Sequence, residues 1–154
     1  QPKLNLGWNN TFNYKNWNLN LFVTGVFGNK IFDAMRAQYN TVANVAAGKN
    51  VLSEVAKIQD IRDGYSDAPS DRYLESGSYL RLSTLSLGYT FRNAFNGWIK
   101  DLQVYGTVNN VFTITGYKGV DPEINLGGLT PGMDWRSDRF PHNRTFLLGV
   151  KVNF

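Results

Sequence analysis

Residues 143–154 read NRTFLLGVKVNF, and their strict alternation limits what the chain can become. Phe146, Leu148, Val150, Val152 and Phe154 fall on one face of an extended segment. Thr145, Leu147, Gly149, Lys151 and Asn153 fall on the other. Period two is the signature of a β-strand with one apolar face. Soluble domains usually leave polar, fraying termini. An aromatic closing an apolar face therefore poses a physical question: what meets that face?

The same period recurs along the chain. Leu4, Leu6, Trp8, Phe12 and Tyr14 share a face, interrupted by Asn10, with Asn5, Gly7, Asn9, Thr11 and Asn13 opposite. Lys15 and Asn16 make a tight turn, and Trp17, Leu19, Leu21, Val23, Gly25 and Phe27 carry the pattern back. Two such runs joined by a short polar link predict an antiparallel hairpin. Further runs predict strands over about 79–91, 101–114 and 143–154, besides 4–14 and 17–27. In the third run the apolar phase slips from Leu80 and Leu82 to Leu85, Leu87, Tyr89 and Phe91. A bulge near Ser83 and Thr84 accounts for the slip.

Between the second and third runs the alternation is lost. Residues 29–38 and 42–57 have helical spacing in part, and Gly48, Lys49 and Asn50 interrupt it. Residues 28–78 are expected to be a long loop with one or two short helices. Residues 115–142, rich in Gly, Pro and Asp, are expected to be a second long loop. In a hairpin series alternate connections lie at the same end of the sheet, so both long loops fall at one end and the shorter links at the other. Outer-membrane barrels have this asymmetry, with short periplasmic turns and long extracellular loops.

No Asp, Glu, Lys or Arg occupies the apolar face of these runs, and their reverse faces are mainly Asn, Thr, Gln, Ser and Gly. A soluble sandwich would bury the apolar faces against a second sheet. A membrane barrel would turn them to lipid. Three features favour lipid. The runs exceed the roughly 5–6 residues common in globular sheets, and about 10 tilted residues span the hydrocarbon layer. Tyr14, Trp17, Phe91, Trp98 and Phe154 gather at the short-turn end, where an aromatic girdle would sit. The reverse faces are nearly uncharged, which suits a wet lumen. Charged residues make up 18% of the chain, below the roughly 25% of soluble domains. Five strands are too few to close a membrane barrel, which needs about 8. The expectation is an all-β chain forming part of a larger transmembrane barrel. The alternative is a soluble β-sandwich module that binds carbohydrate.

Little else points to chemistry. The net charge of +4 is spread along the chain, so no nucleic-acid partner is expected. There is no cysteine, which excludes disulfides and thiolate metal sites. His142 is the single histidine and has no second imidazole to share a metal with. Asp121, Glu123, Asp134 and Asp138 lack EF-hand spacing and read as solvated loop acids. Gly116, Gly119, Gly127, Gly128 and Gly132 are followed by no Gly-Lys-Ser/Thr, so no phosphate cradle is read. No nucleophile, base and orienting group come together by motif. Neither an enzyme, nor a cofactor, nor a metal is expected.

Three stretches carry a family resemblance: SDRYLESGSYLRLSTLSLGYTF (70–91), VYGTVNNVFTITGYKGVDPEI (104–124) and FPHNRTFLLGVKVNF (140–154). In this order and spacing they resemble the C-terminal region of SusC/RagA-type TonB-dependent transporters of Bacteroidetes. The resemblance covers about half of the chain closely and residues 1–69 more loosely. It implies a 22-stranded barrel in the bacterial outer membrane that imports oligosaccharides or peptides. A SusD-like surface lipoprotein would act as its lid and TonB would energise it. The plug domain and the TonB-contacting segment are not within these residues. The ending also resembles the sorting signal read by the barrel-assembly machinery: Gly149, Val152 and Phe154 match, while Leu147 stands where a polar residue is usual. On this reading Tyr65, Tyr73, Tyr117 and Trp135 are candidate loop contacts to cargo or lid. Arg36, Arg62, Arg72 and Arg136 would meet lipopolysaccharide, the lid or water. Asp121, Pro122 and Glu123 would shape their loop.

Overall fold

In the computed structural model the described residues are 1–40, 43–51, 53–57, 71–94, 98–123, 132–134 and 140–153. The elements are β1 (Leu4–Tyr14), β2 (Trp17–Phe27), β3 (Lys30–Phe32), α1 (Ala34–Tyr39), α2 (Ala43–Ala46), β4 (Leu74–Ser76), β5 (Tyr79–Ala94), β6 (Ile99–Thr115) and β7 (Thr145–Asn153). Short 3-10 turns occupy Ser53–Lys57 and Asp71–Tyr73. The chain divides into two compact units. One holds Gln1–Lys3, Phe27–Ser78 and Gly116–Pro141, and the other Leu4–Val26, Tyr79–Thr115 and His142–Phe154.

The second unit is an antiparallel sheet in the order β1-β2-β5-β6-β7. Lys15 takes a left-handed φ of 53° in the two-residue turn between β1 and β2, a conformation that tight hairpin turns demand. The phase slip seen in the sequence is a break in register: Leu82 lies opposite Val23, whereas Leu85 lies opposite Leu21. Ser83 is the extra residue, so Leu80 and Leu82 share a face with Leu85, Leu87 and Tyr89. On β6, Asn110 answers with a left-handed φ of 53° in the same stretch. β5 and β6 run further than the alternation alone suggests, to Ala94 and from Ile99, with Arg92 opposite Asp101. Opposite charges directly across a ladder favour that extension.

One face of this sheet has no layer over it among the described residues. Leu148 is 90% exposed and Phe146 71% exposed, and Trp8, Phe12, Leu87, Val104 and Val150 are exposed with them. At the end nearer the short turns, Trp17, Tyr89 and Phe91 join edge to face at centroid separations of 4.8 Å and 4.7 Å.

The first unit holds the small core. Ile31 and Tyr117 form a buried cluster, and Ala34, Ala37, Val55 and Tyr73 are also buried. α1 begins at Asp33, whose carboxylate accepts the Arg36 N–H at 2.9 Å, a standard N-cap bond. The unit also contains a feature absent from the sequence reading: β3 pairs antiparallel with β4, and Met133 bridges Phe32 in parallel. Three-residue strands are too short to show a period, which is why this segment reads as loop.

Candidate functional site

The reverse face of the sheet carries a rail of small polar side chains joined in cross-strand pairs. Asn18 donates to Asn13 at 2.6 Å and Asn20 to Thr11 at 2.8 Å. Thr24 and Ser83 share a bond of 2.7 Å, and Ser86 and Thr107 one of 2.8 Å. Thr84 donates to Asn109 at 3.2 Å. These pairs lie across adjacent strands, where side chains on one face come within reach. The rail therefore runs from β1 to β6.

Arg81 is a buried charged residue on this face. Its side chain is 4% exposed, donates through Nε to Thr113 Oγ1 at 2.8 Å, lies 3.3 Å from His142 Nδ1 and stacks 5.3 Å from the Tyr79 ring centre. Its alternation places it on the polar face, but nothing in the sequence announces its burial. A guanidinium supplies five donors, and burying it requires partners of this kind.

Tyr105 marks the other end of the rail. It stands opposite Gly88 on one side and Gly149 on the other. A methyl group added at Gly149 would overlap the Tyr105 ring. The missing side chain of Gly149 is therefore the space into which the tyrosine lies. Val152, which with Gly149 matches the sorting-signal pattern in sequence, pairs with Leu102 on the apolar face. Phe154 lies outside the described residues.

In the other unit, Tyr73 and Tyr117 are 8% and 6% exposed, not the open loop aromatics that the sequence suggests. The Tyr73 hydroxyl receives the Asn40 amide at 3.2 Å, and the Tyr117 hydroxyl donates to Asp134 at 2.8 Å. Burial and the Asp134 bond raise the Tyr117 pKa, keeping it a neutral donor. Asp134 is accordingly a buried acceptor and not a solvated acid. Arg36, read as a surface contact, reaches Glu75 at 2.6 Å. The other Glu75 oxygen takes the Lys118 backbone N–H at 3.0 Å. Burial raises the Asp33 pKa from its ordinary value; the Arg36 N–H opposes this, and the charges of Asp134 and Glu75 add to it. Asp121 accepts the Glu123 N–H at 2.9 Å beside the buried Pro122, so these residues do shape a turn. Tyr65, Trp135, Arg62, Arg136 and Asp138 lie outside the described residues.

Comparison with known proteins agrees with this geometry. No family-level sequence model matches the chain. Over 99% of its length the chain is 28% identical to TonB-dependent receptor P3 of Formosa agariphila, and over 97% it is 28% identical to TonB-dependent receptor SusC of Bacteroides thetaiotaomicron. It covers 16% and 15% of those proteins. The chain thus spans about one sixth of the curated relatives it matches. Among solved structures, the RagAB peptide importer in its closed-closed state superposes with a TM-score of 0.73 and 23% identity. That match takes in 100% of this chain and 17% of the importer chain. A second structure of the RagAB peptide transporter gives a TM-score of 0.74 at 21% identity, over 99% of this chain and 17% of the other.

Proposed function

We propose, from the premise that this chain is a segment of a SusC/RagA-type TonB-dependent receptor, that its sheet is the C-terminal part of an outer-membrane transport barrel. The single observation that carries this is the contrast between the two faces of the sheet. One is charge-free, aromatic-edged and uncovered, and the other is a self-bonded rail of Asn, Thr and Ser. Hydrocarbon can solvate the first face. Water can solvate the second.

The lengths agree with such a wall. An 11-residue strand rises about 36 Å, and a tilt near 45° reduces this to about 25 Å, the height of the apolar band of such barrels. The Trp17–Tyr89–Phe91 stack sits where a girdle at the short-turn interface belongs. In lipid the open edges of β1 and β7 need strands beside them, because unpaired backbone groups are too costly there. A 22-stranded barrel supplies those neighbours.

In this reading the parent receptor takes up oligosaccharides or peptides under a SusD-like lipoprotein lid, with TonB acting through the receptor's plug. The segments 28–78 and 115–142 face the cell exterior, beside lipopolysaccharide. Tyr65 and Trp135 are the loop aromatics we assign to cargo or lid contact, and Tyr73 and Tyr117 support the loops from within. Gly149, Val152 and Phe154 form the signal that the barrel-assembly machinery reads. The residues of this chain make no covalent chemistry. They hold a hydrated passage open against lipid.

A pair of substitutions in the full receptor tests the assignment of faces. Leu148 sits near the middle of β7, and Leu148→Arg should cost about 2–4 kcal/mol in lipid and remove the heat-modifiable barrel band on gels. Thr107→Lys, on the rail, should leave that band intact. Tolerance of Leu148→Arg would refute the lipid-facing assignment, since an arginine at an exposed position of a soluble sheet is harmless.

A further inference from the structure

The loop unit contains an open cavity of about 520 Å³ beside α1. We propose that it is a subsite for a short peptide, taking an apolar side chain with an acidic group next to it. This rests on the importer reading above and narrows it. The volume lies within the roughly 300–1,000 Å³ of small-ligand sites, which are typically apolar with a few polar groups.

The walls supply the apolar part. Met35 and Tyr39 of α1 line it together with Val120. Tyr39 is 36% exposed and Val120 61% exposed, so a ligand would cover surface that the fold itself leaves open. The polar lining is mostly committed. Asp33 caps α1, and burial disfavours its charged form. Arg36 is joined to Glu75, which also takes the Lys118 N–H. The Lys118 ammonium is different: its residue is exposed, and it makes no ion pair among the described residues.

That inventory separates two ligand classes. Tyr39 would give a sugar ring an aromatic face, but a sugar also needs planar donors and acceptors for its adjacent hydroxyls. Here the planar groups, Asp33 and Arg36, already serve the protein. Among the described residues, what remains is an apolar recess with the Ser53 hydroxyl and the Lys118 ammonium beside it. An aliphatic side chain fills the recess, and an adjacent carboxylate meets Lys118 in a charge-assisted contact.

The experiment uses the purified full-length receptor with its partner lipoprotein and three probes: the tripeptides Ala-Leu-Asp and Ala-Leu-Asn, and maltotriose. Wild type should bind Ala-Leu-Asp more tightly than Ala-Leu-Asn, with no competition from maltotriose. Lys118→Glu should weaken Ala-Leu-Asp by about tenfold, the loss of one charge-assisted contact, and leave Ala-Leu-Asn nearly unchanged. Val120→Asp should weaken both peptides. Both positions are exposed, so the variants should fold, and retention of the heat-modifiable band checks this. The proposal is overturned if wild type does not bind Ala-Leu-Asp, if maltotriose displaces it, or if neither variant changes its affinity. It is also overturned if the variants shed the lipoprotein, because the lid would then be the occupant. A wild-type receptor lacking the heat-modifiable band would instead count against the barrel reading, so the two failures are told apart.

Discussion

At the scale of single residues, Gly149 shows how much a missing side chain can do. Tyr105 occupies the space over it and also stands beside Gly88. Aromatic rings that cover a glycine on a neighbouring strand help pin register. Gly149→Ala should therefore force the ring out and lower the yield of folded receptor. Tyr105→Ala combined with Gly149→Ala should recover much of it, because the overlap is gone. Membrane fractionation with heat-modifiability of the two variants checks this. Equal loss in both would place the role of Gly149 in assembly-factor recognition and not in space for the ring. The sequence displays this glycine in its place on β7 but not its partner, because register decides which residue lies opposite. The same blindness holds for Tyr73 and Tyr117. An aromatic in a loop carries no mark of burial, and its hydrogen-bond partner can lie as far away in sequence as Asn40 does from Tyr73.

At the scale of elements, legibility follows length. The runs 4–14 and 17–27 alternate over enough residues to read as strands, and the structure has strands there. The Ser83 bulge is legible because an inserted residue reverses every later side chain. The β3–β4 pair is illegible, since three residues cannot establish a period. α1 is six residues long and leans on its cap. That cap has a pH signature. The folded pKa of Asp33 is raised chiefly by burial, so the folded unit holds the proton at pH values where the unfolded chain has released it. Stability around α1 should fall as pH rises from the ordinary carboxylate range through the raised pKa, then level off. Asp33→Asn keeps an oxygen acceptor for the Arg36 N–H and cannot titrate. Amide exchange of residues 34–37, corrected for intrinsic rates, should show this slope in wild type and a flat profile in the variant. An identical slope in both would place the titration elsewhere, with Glu75 and Asp134 the neighbouring carboxyls.

At the scale of the whole molecule, the sheet is an incomplete object. Its uncovered apolar face and the free edges of β1 and β7 give it no stable arrangement in water as a lone sheet, since exposed edges and apolar patches promote association. Residues 1–154 expressed alone should accumulate as aggregate. Detergent should disperse them without giving a discrete heat-modifiable species. A monodisperse, cooperatively melting monomer in plain buffer would contradict the wall assignment. The rail on the opposite side has a different consequence. Asn13 and Asn18, Thr11 and Asn20, and Ser86 and Thr107 each share one bond across the strands, and their remaining donors and acceptors are neutral groups that water can also satisfy. On the function proposed above, a passing solute would trade such weak neutral contacts for water as it moves, leaving selectivity to be exercised elsewhere along the route.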